Sequence, residues 1–342
     1  MHPLCQYKKQ KGGAMEQRQL GTSSVYVSPI ILGTWAIGGW MWGGTDEKEA
    51  IHAIRASLDA GVTAIDTAAI YGFGLSEQIV GKAIRGRRDQ VTIATKCGMR
   101  WDINEGSEPW LQKDMHGKDV VIRRNSKPAS IIHECEQSLK RLGVDVIDLY
   151  QIHWPDTSTP FEESWNAMVR LQHEGKVRAI GVSNYSVEQL RHSNMVRKVD
   201  SIQPPYSLIR RDIEKDLVPY CQHHQIGVIV YSPLERGLLT GKVGVDRKFA
   251  EGDHRRSLPY FSPENRQRVL DALEQIRPIA EKHKATFSQI ILNCTIHMSG
   301  ITAAIVGARG EEQAKENARA ADLSLTPQER MAVLAAMSSV QV

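Results

Sequence analysis

Residues 61–72 read Gly61-Val62-Thr63-Ala64-Ile65-Asp66-Thr67-Ala68-Ala69-Ile70-Tyr71-Gly72. A short apolar run rich in β-branched side chains stops at an aspartate. Helix-like segments flank it, 46–60 on an acidic cap and 76–85 ending before Gly86. A run this short, with no polar alternation, reads as a parallel strand buried on both faces. The pattern recurs twice: residues 91–95 close on Lys96, and residues 146–152 close on His153. In α/β barrels, side chains just past the carboxyl ends of successive strands share one mouth. Asp66, Tyr71, Lys96 and His153 are therefore expected in one place.

Working outward, strands are predicted at 30–33, 63–66, 91–95, 147–151, 179–181, 201–203, 227–231 and 303–306. Helices fill the gaps at 46–60, 76–85, 130–142, 161–173, 187–194, 212–223, 288–297 and 311–320. Eight of each in alternation predict an α/β fold, the (β/α)8 TIM barrel. A hairpin over 19–27 precedes the first barrel strand, an extra helix lies near 263–282, and a terminal helix spans 327–337. No Pro/Gly/Ser linker divides the chain, so 15–342 reads as a single barrel domain. Residues 1–14, with Lys8, Lys9 and Lys11 and no apolar centre, read as a disordered tail. Three long connections, 37–44, 97–128 and 232–262, each follow a strand and so belong at the catalytic mouth. The charge of the middle one also suits a solvated insertion, and its sequence leaves open whether it closes over substrate.

The net charge of +4, from 43 basic and 39 acidic residues, gives no electrostatic reason to expect nucleic acid. Five scattered cysteines without a Cys-x-x-Cys pair argue against a disulfide framework or a zinc site and fit a reducing cytoplasm. No metal site is expected. No apolar run approaches the ~18 residues of a membrane span. Oligomeric state is not legible.

Tyr71 can donate a proton, but a tyrosine hydroxyl has a reference pKa of about 10. An adjacent Lys96 favours the phenolate, and Asp66 can serve as the counter-ion of Lys96. His153 can hydrogen-bond and orient a carbonyl oxygen. The four suit a reaction that develops negative charge on oxygen and then protonates it, as hydride reduction of a carbonyl does. Competing motifs fail. Gly237-Leu238-Leu239-Thr240-Gly241-Lys242 lacks the first glycine and the hydroxyl residue of a phosphate-binding loop, and Gly72-Phe73-Gly74 lacks the third glycine of a Rossmann fingerprint.

These residues resemble the aldo-keto reductase superfamily over about residues 18–336. Residues 66–72 look like its first signature, and Thr95-Lys96 and Ile152-His153 like the next two. Residues 151–156 and 203–207 are most similar to its bacterial general-stress, NADPH-dependent members. The resemblance implies NADPH/NADP+ as cofactor and a small-molecule carbonyl as substrate. It implies Tyr71 as general acid, with Asp66, Lys96 and His153 tuning or orienting it. Ser183, Asn184 and Gln203 resemble the carboxamide-binding positions, and Tyr231-Ser232-Pro233-Leu234 the segment whose ring stacks on the nicotinamide. Gly33, Thr34, Trp35 and Asp66 complete that end of the cofactor site. Gly237, Leu238, Thr240, Gly241 and Lys242 resemble the pyrophosphate loop. Gly307, Arg309, Gln313, Glu316 and Asn317 resemble the adenosine phosphate site, where an arginine fork suits a 2′-phosphate. Trp35, Trp40, Trp42 and Trp154 can wall a substrate pocket beside Tyr71 and His153, although Trp40 and Trp42 equally suit packing of their own loop. The same resemblance admits an alternative: a cofactor-holding, redox-sensing subunit with little turnover, like potassium-channel β subunits.

Overall fold

The structure, a computed structural model, describes residues 7–8, 15–249 and 253–340. Eight strands close a barrel: β1 (Ile30–Gly33), β2 (Ala64–Asp66), β3 (Thr92–Cys97), β4 (Ile147–Ile152), β5 (Val177–Ser183), β6 (Ser201–Gln203), β7 (Gly227–Tyr231) and β8 (Ala303–Gly307). Each is parallel to the next, and β8 pairs with β1. This is the expected (β/α)8 barrel.

Side-chain alternation divides every strand between two cores. Ile31, Ala64, Ala94, Leu149, Ala179, Ile229, Ala303 and Ile305 point inward and pack with Leu20, Val25 and Val27. Those last three come from the predicted hairpin, whose strands Gln17–Gln19 and Tyr26–Val27 pair antiparallel below the barrel. Their partners on the same strands, such as Ile30, Ile65, Ile93, Tyr150, Ile202 and Val228, point outward into the core under the helices. Continued to the carboxyl ends, the inward parity reaches Asp66, Lys96, Gln151, Ser183, Gln203 and Tyr231. The site is therefore the top layer of the barrel interior.

The helices stop and start on local signals. Asp46 caps Glu47–Asp59 by accepting from Lys48 N and Glu49 N. Gly143, at φ +66°, closes Pro128–Leu142. The helix predicted over 212–223 is instead a turn, Asp212–Glu214, followed by a helix, Leu217–His224, because Asp216 breaks in as a new cap on Leu217 N.

The 97–128 connection is also more ordered than its sequence reading. Met99–Arg100, Ser107–Lys113 and Asp119–Arg124 form a three-stranded antiparallel sheet beside the mouth. Asp114 Oδ1 accepts from His116 N and Lys118 N and so nucleates its hairpin turn. The expected disordered tail lies outside the described residues, except that the backbone of Tyr7–Lys8 pairs antiparallel with Gln17–Gln19. Among the described residues, no helix is long and apolar enough to cross a membrane.

Candidate active site

Lys96 lies at the centre of the site with its side chain fully buried. Its ammonium donates to Asp66 Oδ1 at 2.6 Å, to Thr67 O at 2.9 Å and to Tyr71 Oη at 3.4 Å. An ammonium has three hydrogens, and all three are engaged. The Tyr71 oxygen is thus an acceptor toward Lys96, and its own O–H is left for the cleft. His153 meets Tyr71 edge to face, with ring centroids 5.8 Å apart.

Neighbouring backbone fixes Tyr71. Gly38, in the first long loop, and Gly72 lie backbone against backbone. A Cβ on Gly72, where φ is +63°, would come 2.3 Å from Gly38 O, and a Cβ on Gly38 would come 2.8 Å from the Tyr71 carbonyl carbon. Glycine at both positions lets the loop press the tyrosine into the mouth. Beneath Asp66, Ser76 Oγ donates to Thr34 Oγ1 at 2.7 Å, and Thr34 Oγ1 donates to Asp66 O at 3.0 Å. These contacts hold the β1 and β2 ends together.

Burial sets the protonation states. It pushes the Tyr71 hydroxyl well above its ordinary value, and the Asp66 carboxylate adds to the shift. Lys96 was expected to draw Tyr71 toward the phenolate. Instead, Asp66 neutralises the lysine at contact distance and leaves Tyr71 a protonated donor. Burial lowers Lys96, against the pull of Asp66. Burial and the nearby ammonium of Lys96 hold His153 well below the usual imidazole range, so it is neutral near pH 7. Cys97, next to Lys96, faces away under the helices, and burial pushes its thiol up, so its proximity confers no reactivity.

Above these residues opens a cleft of ≈ 540 Å³. Gly33, Thr34, Trp35, Asp66, Tyr71, His153 and Trp154 line it, as do Ser183, Asn184, Gln203 and Tyr231. The cleft continues past Ser232, Pro233, Leu234, Gly237 and Thr240 to Gly307, Arg309 and Gln313. Asn184, held at φ +61°, donates to His153 O at 3.0 Å and accepts from Tyr231 Oη at 2.9 Å. Gln203 Nε2 donates to Asp66 Oδ2 at 2.8 Å.

A model of the Aldo/keto reductase family matches residues 29–337. The chain belongs to that family. As an aldo/keto reductase it is an oxidoreductase, and characterised relatives agree. It is 38% identical over 320 residues to an NADH-specific methylglyoxal reductase of Escherichia coli (strain K12), covering 91% of this chain and 95% of that protein. Among solved structures, the glycerol dehydrogenase AKR11B4 from Gluconobacter oxydans superposes with a TM-score of 0.85 at 39% identity, covering 95% of each chain. An aldo-keto reductase from Klebsiella pneumoniae, solved in complex with NADPH, has a TM-score of 0.66 at 30% identity over 90% of each chain.

The cleft of this aldo/keto reductase suits an elongated ligand with an amide end and an anionic middle. Amide side chains gather over Tyr71, and three guanidinium groups that the sequence reading missed, Arg236, Arg247 and Arg255, line the cleft. Arg236 Nε and Trp42 Nε1 are buried there without a hydrogen-bond partner. Unpaired buried donors at the wall of a cleft fit a phosphate-bearing ligand. The signal available in the sequence was the arginine content of the 232–262 connection, already placed at the mouth.

Five residues of the expected cofactor set stand back from the cleft. Leu238 is buried in the core beneath the loop. Gly241 abuts Phe287, whose ring would lie 2.7 Å from an added Cβ. Lys242 reaches Glu316 at 3.4 Å on the surface, Glu316 accepts from Thr286 Oγ1, and Asn317 donates to Gly307 O. Arg309 does line the cleft, but its guanidinium donates to Trp42 O and Gly44 O of the first long loop. Trp40 lines the cleft, and its Nε1 donates to Lys113 O of the inserted sheet. Trp42 stands edge-on to Trp35, with centroids 5.5 Å apart.

Proposed function

We propose that this protein reduces an aldehyde or ketone to an alcohol, with Tyr71 as the proton donor. The engagement of all three Lys96 hydrogens carries the reading, because it leaves the Tyr71 O–H as the free acid at the floor of the cleft. A reduced nicotinamide, when bound, supplies the hydride. The chain's own residues do the rest. Neutral His153 hydrogen-bonds the carbonyl oxygen and orients it. Tyr71 gives its proton to the alkoxide, an oxyanion more basic than an ordinary phenolate. Lys96 then stabilises the phenolate, with Asp66 holding that ammonium in place.

Ser183, Asn184 and Gln203 would hold the carboxamide, and Tyr231 would underlie the ring. Arg236, Arg247 and Arg255 would face the diphosphate. Trp35, Trp40, Trp42 and Trp154 give the substrate an apolar wall. Buried free cysteines at 97, 135, 221 and 294 suit a reducing compartment, and we place the enzyme in the cytoplasm acting on a small carbonyl compound.

The preferred cofactor in this reading is NADPH, since Arg309 lines the cleft and a guanidinium fork suits a 2′-phosphate. One observation favours NADH instead: Arg309 already spends donors on two loop carbonyls, and a relative is named NADH-specific. Steady-state kinetics with NADPH and NADH on wild type and Arg309→Ala separate the two. A selective loss with NADPH supports the phosphate grip, and an equal effect on both cofactors supports NADH. On a panel of reactive aldehydes, Tyr71→Phe is expected to lower kcat about 10²–10⁴-fold. Equal rates would remove Tyr71 from the mechanism, and negligible wild-type turnover with tight cofactor retention would mark a binding subunit.

A further inference from the structure

Inside the barrel, one polar side chain has no part in the reaction described above. Gln151 lies on β4, in register with Lys96 on β3 and Gly181 on β5. It is fully buried. Its side chain extends over Gly181, where an added Cβ would come 3.3 Å from Gln151 Cγ and 2.5 Å from Ser201 Oγ. Crossing that gap, Gln151 Oε1 accepts from Gln203 Nε2 at 3.5 Å, while its own Nε2 is buried with no partner.

An orphaned amide N–H₂ in a barrel core is costly, of order 1–3 kcal/mol, so its orientation needs a cause. The cause lies at the far end of the chain of contacts. Asp66, ion-paired with Lys96, is an acceptor only, and its Oδ2 takes a hydrogen from Gln203 Nε2 at 2.8 Å. Gln203 must therefore present its N–H₂ group inward. Gln151 must then present its oxygen, since the flipped amide would set donor against donor. With both Gln203 hydrogens engaged inward, Gln203 Oε1 is the atom left to face the cleft that this residue lines.

We infer that Gln151 is a positioning residue that completes the amide orientation Asp66 imposes on Gln203, engaging its second hydrogen, and thereby helps present a hydrogen-bond acceptor to the carboxamide of a bound nicotinamide. The inference rests on the proposed cofactor. It explains why a polar side chain is tolerated where an apolar one would pack without an orphaned donor.

The test is cofactor affinity, measured by tryptophan fluorescence or calorimetry, for two probes: NADPH, which has a nicotinamide, and 2′,5′-ADP, which does not. Gln151→Leu is expected to weaken NADPH about three- to tenfold, the worth of one oriented hydrogen bond. Its affinity for 2′,5′-ADP should stay within about twofold, and its Tm should not fall by more than a few degrees. Gln151→Met should behave alike, which guards against a packing accident of either variant. In a Gln203→Leu background the Gln151→Leu change should cost nothing further. An unchanged NADPH affinity, an equal loss on both probes, or a full additional loss in the Gln203→Leu background would each overturn the inference. Wild-type protein that binds neither NADPH nor NADH would overturn the functional reading and this inference with it, whereas wild-type binding with an unaffected Gln151→Leu overturns this inference alone.

Discussion

Replacing Lys96 by methionine tests whether the ion pair at the floor of the cleft exists for stability or for chemistry. The Lys96 and Asp66 side chains are 0% and 3% exposed and meet at 2.6 Å. Neither has water to fall back on. Removing one partner of so buried a pair leaves an uncompensated charge and costs about 3–5 kcal/mol. Lys96→Met also takes a donor from Thr67 O, which puts it at the upper end of that range. Asp66→Leu strands the ammonium and should cost a similar amount. Removing both charges together, as Lys96→Met with Asp66→Leu, should cost about 2–5 kcal/mol, because an apolar pair of similar volume escapes the desolvation penalty and leaves only Thr67 O and one Gln203 hydrogen unpaired. The single losses, which sum to about 6–10 kcal/mol, should thus fail badly to add. Equilibrium urea unfolding followed by tryptophan fluorescence measures all three variants. The expected double variant is no less stable than either single variant and does not turn over. Single losses below about 1 kcal/mol, or a double loss equal to their sum, would refute the reasoning.

Two further outcomes follow from the surroundings of the site. Burial raises the Glu134 carboxyl to about 8, where it accepts from Gly98 N just beyond Lys96. The folded protein therefore keeps that proton up to about pH 8, while the unfolded chain releases it near the ordinary carboxylate value. Stability from this group is fully present below pH ~4.5 and is lost as pH rises toward 8. Glu134→Gln, which keeps an acceptor for Gly98, should flatten the fall of Tm between pH 5 and 9, and an unchanged slope would contradict the assignment. Gly72→Ala would force a Cβ to within 2.3 Å of Gly38 O at a positive φ. It should cost about 1–3 kcal/mol and lower kcat by shifting Tyr71, as thermal denaturation and steady-state kinetics would show.

The barrel and its four central residues were legible because both follow from local pattern. Strands β1, β6 and β7 begin and end where the apolar runs do, and inward parity then fixes which residues reach the mouth. The inserted sheet was less visible. Its first long strand, Ser107–Lys113, is mostly exposed and so carries no apolar alternation. The Val120-Val121-Ile122 run and the turn at Asp114 were the readable half. Arg236, Arg247 and Arg255 could not be placed from sequence, since which loop side chains turn toward a cleft depends on contacts remote in the chain. Arg255, for example, is aimed by its ion pair with Asp253 and by stacking over Trp42, more than 200 residues earlier. The direction of the Tyr71 shift was misread for a related reason. Lys96 was correctly placed beside it, but the effect of a cation depends on what else the cation touches.

The dependence on context converges on Asp66. A carboxylate accepts and does not donate, so every group that meets it must present hydrogen. Lys96 meets Oδ1 and is held protonated by that contact despite its burial. Gln203 meets Oδ2 and must turn its N–H₂ inward. The first constraint leaves the Tyr71 O–H facing the cleft, where the proposed substrate would sit, and the second leaves the Gln203 carbonyl facing the cleft for the proposed cofactor. In the proposed mechanism one buried charge would thereby fix both the proton donor and the acceptor at the nicotinamide end, across two strands that the sequence separates by more than 130 residues. An asparagine at position 66 would keep the shape of this side chain but lose its acceptor-only character. Asp66→Asn should for that reason disturb cofactor orientation as well as acid strength, a pairing that a purely electrostatic role for Asp66 would not produce.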